Sequence, residues 1–162
     1  MTPDPTTEGP SIDVLHQQAG NVVALIDKRV VVFARTQALT LAALEAAELA
    51  VRLAASSANQ DRPGGALAIV PADAGLSRNE LLDRQRQLIA AARTRKHVWV
   101  AFCAHGTGPQ VTVMRAVIRM FLLGQRNMKM FDTPAEAVRW LAERVRLEPN
   151  AFSKHVDQLR KG

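Results

Sequence analysis

The stretch MKMFDTPAEAVRWLAERV, Met128–Val145, decides how the chain is read. Met128–Phe131 has the short apolar character of a strand, and Asp132 begins a turn. Thr133 with Glu136 three residues later forms a capping box. Pro134 falls at the first helical position, where its missing N–H removes nothing. Ala137, Val138, Leu141 and Val145 then share one helical face with Trp140 beside them, while Arg139, Glu143, Arg144 and Arg146 point elsewhere. Every residue has a structural use. The segment reads as scaffold, with Trp140 in the core.

Working outward, Val22–Ile26 and Val30–Ala34 are β-rich runs split by Asp27-Lys28-Arg29, the pattern of a hairpin. Thr40 precedes a helix in which Leu41, Leu44, Leu49 and Leu53 recur at helical spacing. Ser56–Gly65 is a loop. Ala66–Val70, ended by Pro71, suits a buried strand, and Ser77 with Glu80 is a second capping box ahead of another helix. His97–Cys103 is the next strand, followed by a turn and a helix through Leu123 that Gly124 closes. The order β-β-α-β-α-β-α-β-α predicts an α/β fold. It has a mixed, mostly parallel central sheet of about five strands flanked by helices. Residues 1–11 read as a Pro-rich disordered tail and 12–148 as a single domain. In the extension 149–162, Phe152, Val156 and Leu159 have the spacing of a short amphipathic helix.

With these elements in order, the run Phe131 to Leu141, FDTPAEAVRWL, resembles the C-terminal signature of STAS-like domains of the SpoIIAA-like branch. The resemblance extends back through VWVAFC and VMRAVIRMFLL, covering about Val22 to Val145. It implies a regulatory, non-catalytic module that binds protein partners in a bacterial-type pathway, its own copies included, with no cofactor. Phosphorylatable members carry a serine switch where the third strand meets the next helix. Here that junction reads IVPADAGLSRNE, in which Asp73, Gly75 and Ser77 are present but not in switch order. Ser77 is either a helix cap or a phosphorylation switch, where a phosphate would add about −2 of charge at a helix N-terminus.

Other features bound the function. One cysteine, Cys103, excludes an internal disulfide framework and cysteine-based zinc sites, and reads as a buried, inert thiol. His16, His97, His105 and His155 show no metal-ligand spacing. No G-x-S-x-G elbow supports a hydrolase built from His105, Asp73 and Ser77. His105, Gly106, Thr107 and Gly108 form a turn before a helix whose N–H groups could cradle an anion, although no P-loop is present. The following helix is apolar nearly all round. Val113, Met114, Val117, Ile118 and Phe121, with Arg115 and Arg119, are candidate interface residues, the arginines pairing with Glu45 and Glu48 of another copy. The +6 net charge allows electrostatic binding of nucleic acid, but no aromatic platform stands among the basic residues. An apolar small-ligand or lipid carrier is the remaining alternative, since the branch resembles lipid-binding CRAL-TRIO domains in fold. The absence of a signal-like N-terminus and of an apolar run of about 18 residues predicts a cytoplasmic protein without a membrane span.

Overall fold

The computed structural model describes residues 10–71 and 79–162, apart from the side chains at positions 79, 80, 82, 93 and 121. Within the described residues six strands form one sheet: β1 (Ile12–Gln18), β2 (Asn21–Ile26), β3 (Val30–Arg35), β4 (Gly64–Pro71), β5 (Val98–His105) and β6 (Met128–Phe131). They lie side by side in chain order. The β1–β2 and β2–β3 pairs are antiparallel, and the three pairs from β3 to β6 are parallel. The sheet is therefore mixed and mostly parallel. Its sixth strand, β1, was not among the expected elements. It is an edge strand carrying Asp13, His16, Gln17 and Gln18, and its polarity hides it from an apolar-run reading. Both hairpins turn through left-handed residues: Ala19 and Gly20 in the first, Asp27 and Lys28 in the second.

Among the described residues, five helices cover the sheet: α1 (Leu41–Ser57), α2 (Asn79–Arg93), α3 (Pro109–Leu122), α4 (Pro134–Val145) and α5 (Pro149–Lys161). Thr40 caps α1 by accepting from the Ala43 N–H at 3.2 Å, and Thr133 caps α4 by accepting from the Glu136 N–H at 3.4 Å. Glu148 caps α5, its carboxylate accepting from the N–H groups of Ala151 at 2.6 Å and Asn150 at 3.0 Å. Those bonds hold its pKa below the ordinary value.

Side-chain alternation along the strands divides the interior into two layers. Val22, Ala24, Ile26, Val30 and Val32 face α4 and α5, meeting Leu141, Val145, Phe152 and Val156 in the larger core. Val23, Leu25 and Val31 face α1. The leucine stripe expected to anchor α1 does not do so. Leu44 turns inward, but Leu41, Leu49 and Leu53 remain 50%, 42% and 43% exposed. Ala43, Ala47, Ala50 and Ala54 take the inner face instead. Their short side chains let the helix backbone approach the β-branched residues of the sheet. In α5, Phe152, Val156 and Leu159 are buried in the main core, so this C-terminal helix is part of the packed unit.

Buried Arg29 joins three parts of the chain. Its Nη1 donates to the carbonyls of Pro63, at 2.6 Å, and Val145, while Nε donates to Asp27 Oδ2 at 2.8 Å. Burial alone would raise the Asp27 pKa. The hydrogen bonds and charges of Arg29 and Arg62 outweigh that, and hold the carboxyl below its ordinary value.

Candidate functional site

The layer facing α1, α2 and α3 is not filled. Two cross-strand rows form its floor. Val31, Ala66, Val100 and Met128 are paired in register across β3 to β6, and Phe33, Ala68 and Phe102 make the next row. Alanines occupy the central strand of both rows, so the floor dips beneath α2. Above it, none of the described α2 side chains is fully buried; Leu81, Leu88 and Ile89 are half-buried. A cavity of about 580 Å³ remains between sheet and helices, lined by Ala66, Ala68, Phe102, Leu88, Ile118 and Leu122 among others. Among the described residues, Gln85 and Arg86 of α2 are the polar ones in its wall. This size is within the roughly 300–1,000 Å³ range of small-molecule pockets.

The α2 helix is held to its neighbour by a two-point ion pair. Arg84 Nε donates to Glu48 Oε1 at 2.9 Å, and Nη2 donates to Oε2 at 2.7 Å. Hydrogen bonding to Glu48 raises the Arg84 pKa. This is the planar fork that arginine makes with a carboxylate. It joins residues 36 apart in sequence.

The candidate interface helix, α3, divides into two faces. Val111 is buried, and Met114, Ile118 and Leu122 turn partly inward. Val113 and Met120 point out, 63% and 72% exposed, Val117 is 45% exposed while also lining the cavity, and Leu123 beyond the helix is 76% exposed. The Phe121 side chain lies outside the described residues. Arg115 and Arg119, expected to pair with acids of a second copy, have an acidic partner within the chain. Both arginines reach Asp132 Oδ1 at 3.3 Å, and Glu48 is engaged by Arg84 of the same chain. Local partners satisfy these charges, leaving the outward α3 face predominantly apolar.

The His105 turn has a structural occupation. Gly106 and Gly108 adopt φ values of 120° and 119°, a region that disfavours a side chain. Arg115 Nε donates to the Ala104 carbonyl at 2.9 Å, and its Nη2 donates to the carbonyls of Gly106 at 3.3 Å and Asp132 at 3.4 Å. Pro109 at the start of α3 lacks an N–H, while Thr107 is exposed. The arginine thus pins this loop against β6. Half-buried His105 lines a recess of about 810 Å³ at the carboxyl ends of β3, β4 and β5. Buried Asn21 and Arg35, with Asp157 and Arg160 of α5, contribute to the same recess. Asn21 Nδ2 donates to the carbonyls of Ala19 and Ala38 at 3.0 and 3.1 Å. Burial lowers the Arg35 pKa. Sequential strand order provides no topological switch point here, where open parallel sheets ordinarily bind ligands. Ser77 and Asp73 lie outside the described residues.

Cys103 is buried, and burial raises its pKa to about 11. It is an inert thiol at neutral pH. Among the described residues there is no group of three or more His, Cys, Asp or Glu able to hold a metal, and no helix long and apolar enough to cross a membrane. The fold also brings together aromatic residues that sequence spacing keeps apart. Trp99 and Trp140 meet edge-to-face at 6.0 Å, with Phe131 5.5 Å from Trp140. Arg144 lies 4.1 Å over the Trp140 ring, so the cluster presents a capped aromatic face. Sequence reading offered an apolar-ligand carrier without placing its cavity; the available signal for the place was two alanines, Ala66 and Ala68, alternating in a short strand. No family model, curated protein or solved structure matches the chain.

Proposed function

We propose that this chain is a non-catalytic binding module that holds an apolar small molecule between its sheet and helices α2 and α3. The observation that carries the reading is the cavity of about 580 Å³ over Ala66 and Ala68, with an apolar floor and Gln85 and Arg86 in its wall. Transfer of an aliphatic or aromatic ligand from water into this space would be driven by apolar burial, at about 25 cal/mol per Å². The polar side chains on α2 would orient one polar end. The mixed sheet with helices on both faces is compatible, at the level of fold, with the STAS-like resemblance and its regulatory reading. Charge-paired self-association receives no support, because Asp132 engages Arg115 and Arg119 while Arg84 engages Glu48.

Titration with the apolar fluorophore diphenylhexatriene tests the proposal. The wild-type chain should enhance its fluorescence saturably. Ala68→Phe, which places a ring above the cavity floor, should abolish the enhancement while preserving the far-ultraviolet circular dichroism. Equal enhancement by this folded variant, or none by the wild type, would refute cavity binding. Native mass spectrometry of protein purified from its own cells would give the mass of a retained ligand.

A further inference from the structure

From residue 84 to residue 131 the chain runs 48 residues without an Asp or Glu, yet holds nine of its 21 Lys and Arg residues. The fold distributes this tract over α2, β5, α3 and β6, putting both helices in the same layer above the sheet. The outward stripe Val113 and Met120 continues into Leu123, with Val117 between it and the mouth of the cavity. At 1.5 Å rise per residue, Val113 to Leu123 spans about 15 Å.

Basic residues gather where this stripe ends. Asn127 Nδ2 donates to the carbonyls of Ala92 at 3.4 Å and Val98 at 3.0 Å. These bonds tie the loop bearing Arg126 to the connection bearing Arg95 and Lys96. All three cations are exposed. Among the described residues, none of the three forms an ion pair with a carboxylate within 4.0 Å.

We propose that this corner, with Met120 and Leu123 at its apolar tip and Arg95, Lys96 and Arg126 at its rim, docks on a bilayer carrying anionic headgroups. The arrangement matches an interfacial helix, in which apolar side chains enter the headgroup–acyl boundary and cations lie over phosphate. Nucleic acid would match the cations and leave the apolar stripe in water; the indole cluster offers it a face already covered by Arg144. A two-fold contact through the same stripe would cover the apolar residues but bring equivalent basic rims together. A negatively charged lipid surface complements both features. This assignment is independent of what occupies the cavity.

Co-sedimentation with vesicles provides the test. The protein should pellet with mixed phosphatidylcholine–phosphatidylglycerol vesicles and remain in solution with phosphatidylcholine alone. Arg126→Gln and Lys96→Gln should each reduce partitioning about fivefold, the effect of removing one cation from an anionic surface. Combined Met120→Ser and Leu123→Ser should eliminate pelleting without changing the circular dichroism, since both sites are exposed. Equal partitioning to neutral vesicles or none to anionic ones would overturn the assignment. So would a concentration-dependent dimer that the double variant dissociates. These outcomes leave the diphenylhexatriene result unchanged, so the two proposals can fail separately.

Discussion

Replacing Arg29 with Met tests whether one buried guanidinium holds the hairpin, the Pro63 loop and the α4 terminus together. The residue is 5% exposed, and its Nη1 is the donor to the Pro63 and Val145 carbonyls. Methionine retains much of the apolar stem but cannot donate either bond. With each buried carbonyl left unpaired at about 1–3 kcal/mol, the two losses together lower unfolding free energy by about 2–6 kcal/mol. Asp27 retains Arg62 as a partner at 2.8 Å, so it contributes little to that total. The effect is a large share of the roughly 5–15 kcal/mol that stabilises a domain. Urea unfolding monitored by tryptophan fluorescence should show a lower midpoint with an unchanged slope. Arg62→Met is the matched control: its side chain is 60% exposed and makes an ion pair with the same carboxylate. It should alter stability by less than about 1 kcal/mol. An Arg29→Met change below about 1 kcal/mol, or an equal effect at Arg62, would refute the claim that buried carbonyl capping is decisive.

Asp27 has a depressed folded-state pKa against an ordinary value of 3.8, so its stabilisation is present above 3.8 and lost as pH falls through the folded value. Asp27→Asn should weaken the decline in urea midpoint between pH 5 and pH 3, values spanning the roughly 3.9 reference for Asp; an unchanged decline assigns it to other groups. Cys103 is 2% exposed, with its thiol pKa at about 11. Iodoacetamide should therefore label unfolded chains far faster than native ones; equal rates would contradict its burial. Arg84→Ala removes both hydrogen bonds to Glu48 and should accelerate amide exchange across α2, with little effect on β2 and β3. Unchanged α2 exchange would show that another contact holds the helix.

The parts of the fold legible in sequence were those that announce themselves locally. Met128–Phe131 is a strand with the expected limits, and Thr133 and Pro134 begin α4 as their capping chemistry requires. Non-local choices were less visible. Helical spacing pointed to the leucines of α1, whereas the sheet packs against its alanines. Arg29 looked like a turn residue because Val145, 116 positions away, is absent from any local window. The intrachain partner of Arg115 and Arg119, Asp132, comes into reach only through the turn after β6, a placement that helix spacing does not show. The cavity depends on how far α2 stands above Ala66 and Ala68, a separation no single segment encodes.

The sequential strand order also sets an order of protection during synthesis. Each new strand joins the edge left by the preceding one, so pairing closes short spans of chain first. Yet Val22, Ala24, Ile26, Val30 and Val32 receive their outer cover from α4 and α5, which end at Lys161. A nascent chain can pair all six of these strands while leaving one face of the sheet exposed, until α4 and α5 emerge from the ribosome and seal it.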